Sequence, residues 1–597
     1  MLTKELLSEY IDAGAAKIKV DMAVTGGTLI NVNTGEYYPA DVAIYKNRIV
    51  AVDSDIKDYI GENTQIIDAT GKYLVPGLID CHIHVECSKM SMMRFAQAVV
   101  PHGTTSIITG FDEYISVVGV DGLKDIFKEV DQSPLKVFWG LPYRTPYTIP
   151  KSTIAYDVTS EDHEKYQKDP KCWGVWETVR EAVKTKDPTT MDALTLARNN
   201  HQAIFGCSPM ARGKDLNEFL MSGVRVDHES YDHQEFLEKA RKGIHVVIRE
   251  SAVTKFLKEN IRAITEGASG VSRHTSFCSD DVNARGILEH GHIDHMVRLA
   301  INAGVSPMTA IQMATINGAE AYKIDDYVGS ITPGKDADIL LVDQPGTFNV
   351  ETVISKGKLV TLNHQDKFNY QVPTRNAELS KTVKHSLVKA DDFKYSVPMD
   401  EGTAKVETIN SIGPFVRKRR DVTLNIKDGV VEPSVEKDVA LVSVIERYGI
   451  NQNQSKGFIS GWSFKKGAIA TTAAPDDNNI VVAGVNYEDM ALAVNTLIEK
   501  QGGQVIVVDG EVVSFLPLPV AGIVSDAEPE ELAKQEEQLE EAAKAIGSNL
   551  PDPIFYLSFL PITAIPDLAI TDVGPVDYTK LSYFDPILKL EETSSAL

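Results

Sequence analysis

The chain is short of cysteine, of positive charge and of long apolar runs. Five cysteines, Cys81, Cys87, Cys172, Cys207 and Cys278, are spread over 597 residues. An odd number without small-scaffold spacing excludes a disulfide-built fold and predicts free thiols in a reducing compartment. Lysine and arginine total 60 against 84 aspartate and glutamate, a net charge of −24. Such a surface repels phosphate backbones, so a nucleic-acid partner is not expected. Part of the excess is local: Ser525–Lys544 sets eight acidic residues against Lys534 and Lys544, the pattern of a solvated helix. No run approaches the roughly 18 apolar residues of a membrane span. The N-terminus, MLTKELLSEYIDAGAAKIKVD, lacks the apolar stretch of a signal peptide. These absences predict a cytoplasmic protein with no membrane partner.

What is present is ordinary globular composition, 43% hydrophobic and 24% charged, in a chain long enough for several domains. Residues 18–75 carry short apolar runs, Met22–Val24, Thr28–Val32, Val42–Tyr45 and Arg48–Val52. Turn signals separate them at Gly26–Gly27, Asn33–Glu36 and Lys46–Asn47. From about 76 to 325, strand-like runs alternate with helical patterns: Thr105–Thr109, Val137–Trp139, Gly174–Trp176, Ala203–Phe205, Val224–Val226 and His245–Ile248. That alternation and length predict a parallel (β/α)₈ barrel. β-like sequence returns at Ser330–Asp343 and Val353–Val360. The expected architecture is therefore α/β. A small β domain is built from two segments, 1–75 and 326–385, around a barrel over 76–325. A C-terminal α+β domain follows over 386–597.

Pro76–His84 reads PGLIDCHIH. Strand alternation puts His82 and His84 on one face. At the C-terminal end of a barrel strand both imidazoles point into the mouth, where barrel active sites lie. Imidazole suits divalent zinc, iron or manganese.

With this motif the chain resembles the amidohydrolase superfamily, whose first barrel strand carries PGxIDxHxH, and within it the bacterial adenine deaminase family. The resemblance runs over nearly the whole chain. It includes PGLIDCHIHVECS at 76–88, HGTTSI at 102–107, GKDLN at 213–217, DHES at 227–230, IRE at 248–250, CSDD at 278–281 and GHIDHMVRLAI at 291–301. In the last domain it includes GFISGWSFKKGAIA at 457–470, NYEDMALAVN at 486–495, LPLPVAGIVSD at 516–526 and LSFLPITAIPDL at 557–568.

The resemblance implies one or two divalent ions held by His82, His84, Glu177 at the end of the fourth strand, and His228 after the sixth. Asp280 at the eighth strand would bind metal and shuttle the proton, with Asp281 the competing choice. Glu86, Glu113 and Glu229 are expected to contact ring nitrogens or relay protons. The implied reaction is hydrolytic deamination of a small purine or related heterocycle, adenine giving hypoxanthine and ammonia, by a homo-oligomer of purine metabolism.

The chain departs from the family at four histidines. The family's GHAP is Gly206-Cys207-Ser208-Pro209 here, its DPHE is Gly110-Phe111-Asp112-Glu113, and its HDSHN is Pro475-Asp476-Asp477-Asn478-Asn479. The family's PSCVPAT segment is LPYRTPYTIP at Leu141–Pro150. Cys207 remains a candidate metal ligand, because a thiolate binds zinc well, and equally a small buried thiol. Asp112 remains a possible oxygen ligand. The altered loop motivates an alternative, an amidohydrolase of another aminated heterocycle or cyclic amide; a non-catalytic binding homologue is the second.

Other chemistries fail on the sequence. His84-Val85-Glu86 has no P-C-x-x-C to complete a cytidine-deaminase zinc site. No GxxxxGK[ST] occurs. His290, His292 and His295 sit where a loop enters a helix, and packing or capping is expected of them; His274 is left unassigned.

Overall fold

The computed structural model describes residues 2–592 apart from Val253, Ser269, Pro414 and Phe415. After helix α1 (Lys4–Gly14) come β1 (Met22–Asn31), β2 (Glu36–Tyr45), β3 (Arg48–Asp53), β4 (Gln65–Asp68) and β5 (Tyr73–Pro76). These strands share one sheet with β-structure from beyond the barrel, where Ile339–Val342 pairs antiparallel with β5. Gly26–Gly27 is not a turn. β1 runs through it, and the register against β2 shifts between Val24 and Gly27, a bulge that a glycine pair permits.

Eight parallel strands follow: β6 (Leu78–Asp80), β7 (Thr104–Thr109), β8 (Lys136–Pro142), β9 (Cys172–Val179), β10 (Ala203–Cys207), β11 (Val226–Asp227), β12 (His245–Arg249) and β13 (Thr275–Cys278). The sixth is shorter than the run Val224–Val226 suggests. Backbone bonds close the ring: the Cys81 N–H donates to the Phe277 carbonyl (3.1 Å) and the Asp280 N–H to the His82 carbonyl (3.0 Å). Asp80 of PGLID bolts the same seam. It accepts from the Ser279 hydroxyl and N–H and from the His82 N–H, and lies 3.2 Å from His292 Nε2. His292 is thus a packing residue. Gly77 is required where it stands, since a Cβ there would lie 2.0 Å from Thr105 Oγ1.

Ile79, Ile108, Phe138, Trp176, Phe205 and Val247 fill the barrel interior. The short β11 is anchored by a fully buried lysine: Lys239 Nζ lies 3.0 Å from Asp227 and 2.9 Å from Glu235. Losing one partner of such a buried set costs about 3–5 kcal/mol, so the residues just after Asp227 are firmly placed.

The C-terminal part is built on a long, mostly antiparallel sheet, with Gly402–Gly413 paired to Val416–Lys427. Helix Tyr487–Lys500 covers it through Met490, Val494 and Leu497. This part roofs the barrel mouth. The Ile149 N–H donates to Thr563 Oγ1 (2.9 Å) and the Thr153 N–H to Asp572 (3.0 Å). Arg375 pairs with Asp526 at 2.7 Å. The segment after β8, Tyr143–Thr153, is therefore held between barrel and roof.

Candidate metal centre

Donors from the C-terminal ends of five barrel strands meet at the mouth. Atoms of His82, His84 and Glu177 lie within 4.8 Å of one another, as do those of His82, His228 and Asp280, and those of Glu177, Cys207 and His228. A further group, His84, Asp112 and Glu113, adjoins them. His84 Nε2 is 3.2 Å from Glu177, His228 Nε2 is 3.6 Å from Glu177, and His82 Nε2 is 3.5 Å from Asp280. The His82 and His228 rings stack at 3.7 Å, and Trp176 lies against the other face of His82 at 4.2 Å. That indole is admitted by Gly110, where a Cβ would come within 2.1 Å of it. Glu177 and Asp280 both have left-handed backbone, φ 35 and 56. For non-glycine residues this costs on the order of 1–3 kcal/mol, a strain that clusters at functional sites.

The electrostatics suit a cation. Burial, then the neighbouring imidazole of His228, hold His82 well below the ordinary histidine range, and burial with Arg249 does the same to His228. Both rings are neutral and keep a lone pair, and the buried Nε2 of His82 has no hydrogen-bond partner. Burial would lower His84 as well, but Asp112, 3.3 Å from its Nδ1, and Glu177 outweigh it and raise it. Burial raises Glu177, and burial with Glu177 nearby pushes the Cys207 thiol far up. Two neutral imidazoles, His82 and His228, beside crowded carboxylates that already draw His84 toward its charged form make a donor set that fits a divalent ion.

Asp280 and Asp281 separate. Burial alone would raise Asp280, but Arg249, 2.6 Å away, wins and lowers it. Asp281 is pushed up to about 7 by burial and by Asp280, and belongs to none of these donor groups. Arg249, at the end of β12, also lies 2.6 Å from Glu229. It is the residue that sequence reasoning passed over, although it stands within IRE after the apolar run of the seventh strand. Burial raises Glu229 to about 8 against that arginine.

The centre opens into a cleft of about 1090 Å³ lined by His84, Glu113, Glu177, Glu229, Tyr147 and Asp280, and from the roof by Asp476, Ile562 and Pro566. Glu113 is raised by burial and by Asp112, and accepts a hydrogen bond from Asn478. Glu86 does not line this cleft. It sits behind Glu113 on an adjoining cavity of about 470 Å³, accepts from the Tyr114 N–H (3.3 Å), and is raised to about 8 by burial and Asp112.

A closed parallel barrel with this donor set at its mouth defines the amidohydrolase class. The Amidohydrolase family model matches residues 73–360, and that of the Adenine deaminase C-terminal domain matches 414–582. Adenine deaminase 1 of Latilactobacillus sakei is 61% identical, over 98% of this chain and 98% of its own. Adenine deaminase 1 of Desulfotalea psychrophila is 57% identical over 99% of each, and adenine deaminase 4 of Rhizobium meliloti 48% over 97% of each. The chain belongs to the adenine deaminase family.

Proposed function

We propose that the protein is a divalent-metal-dependent hydrolase converting adenine and water to hypoxanthine and ammonia. The observation that carries this reading is the convergence of His82, His84, Glu177, His228 and Asp280 at one barrel mouth, in a chain of this family. His82, His84, Glu177 and His228 would hold one or two ions of manganese, iron or zinc, with Asp280 and Cys207 as further ligands. When bound, such an ion acts as a Lewis acid and lowers the pKa of a water toward about 7. Asp280, kept ionised by Arg249, accepts the water proton on its carboxylate and delivers it to the departing amino group at C6. Glu113 and Glu229 face the cleft, and burial raises both toward the form that donates to a ring nitrogen, Glu229 to about 8. Glu86 relays protons behind Glu113.

An ammonia-release screen over adenine, other aminopurines, aminopyrimidines and cyclic amides tests the reading. Adenine is expected to be preferred. Release from a cyclic amide or aminopyrimidine but not from adenine would reassign the substrate. No release from any compound, with no bound metal, would make the chain a binding homologue.

Cys207 carries its own prediction. A sulfur ligand favours zinc over manganese. Cys207→Ser should therefore lower metal stoichiometry without unfolding the barrel, and Cys207→His should shift preference toward manganese or iron. Equal metal content in wild type and Cys207→Ser, with equal activity, would return Cys207 to a buried thiol.

All five cysteines are free, and among the described residues no helix is long and apolar enough to cross a membrane. Free thiols support placing the enzyme in the cytoplasm, and the adenine reading places it in purine metabolism. Exposed Leu7 and Ile11 on α1 offer an apolar strip in accord with a homo-oligomer.

A further inference from the structure

One carboxyl on the cleft wall takes no part in the chemistry above. Asp476 comes from the roof, is 7% exposed, and lines the same cleft as the metal centre. Its Oδ1 accepts from the Tyr147 N–H at 2.7 Å, which fixes the side chain. Its Oδ2 is buried and makes no well-aligned hydrogen bond, although the Thr148 N–H also acts on the carboxyl. A buried polar atom left in that state is destabilising, so a partner arriving with the ligand is favoured. Asp476 belongs to none of the donor groups at the centre, and Asp112 is one of the charges that act on it. It stands one layer out from the metal ligands.

The wall beside it is flat and apolar. The Tyr147 ring stacks on Tyr143 at 5.2 Å, with 7° between the planes. Ile562, Ile565 and Pro566 line the cleft with it. This is the shape of a slot for a planar heterocycle.

In a purine whose C6 amino group faces the metal centre, the imidazole ring lies on the side away from C2. A free base carries one N–H on that ring, and an N9-substituted purine carries none. We propose that Asp476, fixed by the Tyr147 backbone, accepts the imidazole-ring N–H of the substrate and so selects free purine bases over N9-substituted ones. The inference rests on the adenine reading above. Burial and the neighbouring Asp477 raise this carboxyl to about 8. A hydrogen bond donated by the substrate N–H favours the ionised carboxylate, which is the form that accepts it.

The test compares kcat/KM for adenine and 9-methyladenine, with the metal-loaded full-length enzyme and its Asp476→Asn variant. Asparagine keeps an oxygen for the Tyr147 N–H and turns an NH₂ donor toward the slot, where it opposes the substrate N–H. Wild type should prefer adenine by at least about 10²-fold, the size expected when a buried polar group loses its partner. Asp476→Asn should lose about 10²-fold on adenine, mostly through KM, with little change on 9-methyladenine. The affinity for the product hypoxanthine, measured by calorimetry, should fall by a similar factor. A merely structural role would lower both substrates alike and leave their ratio in place. Wild-type turnover of adenine with an unchanged ratio in Asp476→Asn overturns the subsite and leaves the deaminase reading standing. Equal turnover of both substrates by wild type overturns it without any variant. No ammonia from adenine overturns the deaminase reading, and the subsite with it.

Discussion

Replacing His82 and His84 together by alanine is expected to strip the protein of divalent metal and abolish ammonia release. The two rings leave the same strand end, and each faces a carboxylate that no other histidine reaches at the same distance. His82 Nε2 lies 3.5 Å from Asp280 and His84 Nε2 lies 3.2 Å from Glu177. Their loss leaves His228 as the only imidazole in these groups, against Glu177 and Asp280. The barrel should survive, because the backbone bonds and the Asp80 clamp that close it do not use either imidazole. Metal content by mass spectrometry and far-ultraviolet dichroism read the two halves of the claim. A double variant that keeps its metal and its activity would move the site elsewhere.

Asp280→Asn is expected to lower kcat by roughly 10²–10⁴-fold, the usual contribution of a positioned acid–base group. The amide cannot take the water proton, and it also leaves Arg249 facing Glu229 without its second carboxylate partner. Asp281→Asn should cost far less, since Asp281 belongs to none of the donor groups and, pushed up to about 7, is only partly ionised near that pH. The sign of the shift gives a further check. A group whose folded pKa is depressed, like Asp280, stays active as a base down to a lower pH than an ordinary aspartate. The acidic limb of kcat should therefore fall below the usual carboxylate range in wild type. The reverse order of the two variants would assign the shuttle to Asp281.

Much of this centre is legible in the chain alone. PGLIDCHIH fixes two imidazoles by strand alternation, a period-2 rule that depends only on local backbone geometry. The resemblance supplied Glu177, His228, Asp280 and Cys207 by position, and each lies in a donor group at the mouth. Local patterning was less sufficient where distant groups decide the outcome. Gly26–Gly27 reads as a turn, yet strand pairing carries β1 through it as a bulge. Glu86 is expected to contact a ring nitrogen or relay protons, and spacing alone does not say which; a short 3₁₀ turn at Val85–Ser88 sets it on the adjoining cavity beside Glu113.

The sequence by itself determined the βα alternation, the imidazole pair and the family, because these are matters of short-range order and of motif. Only the tertiary structure decided which of two adjacent aspartates is held ionised, since that depends on Arg249 from a different strand. It likewise decided that Gly110 makes room for the indole on His82, and that Asp476, more than 300 positions from the first ligand, faces the same cleft. Charge stabilisation and cavity shape act through space over a few ångströms, and chain order carries no record of those distances until the barrel closes and the roof descends on it.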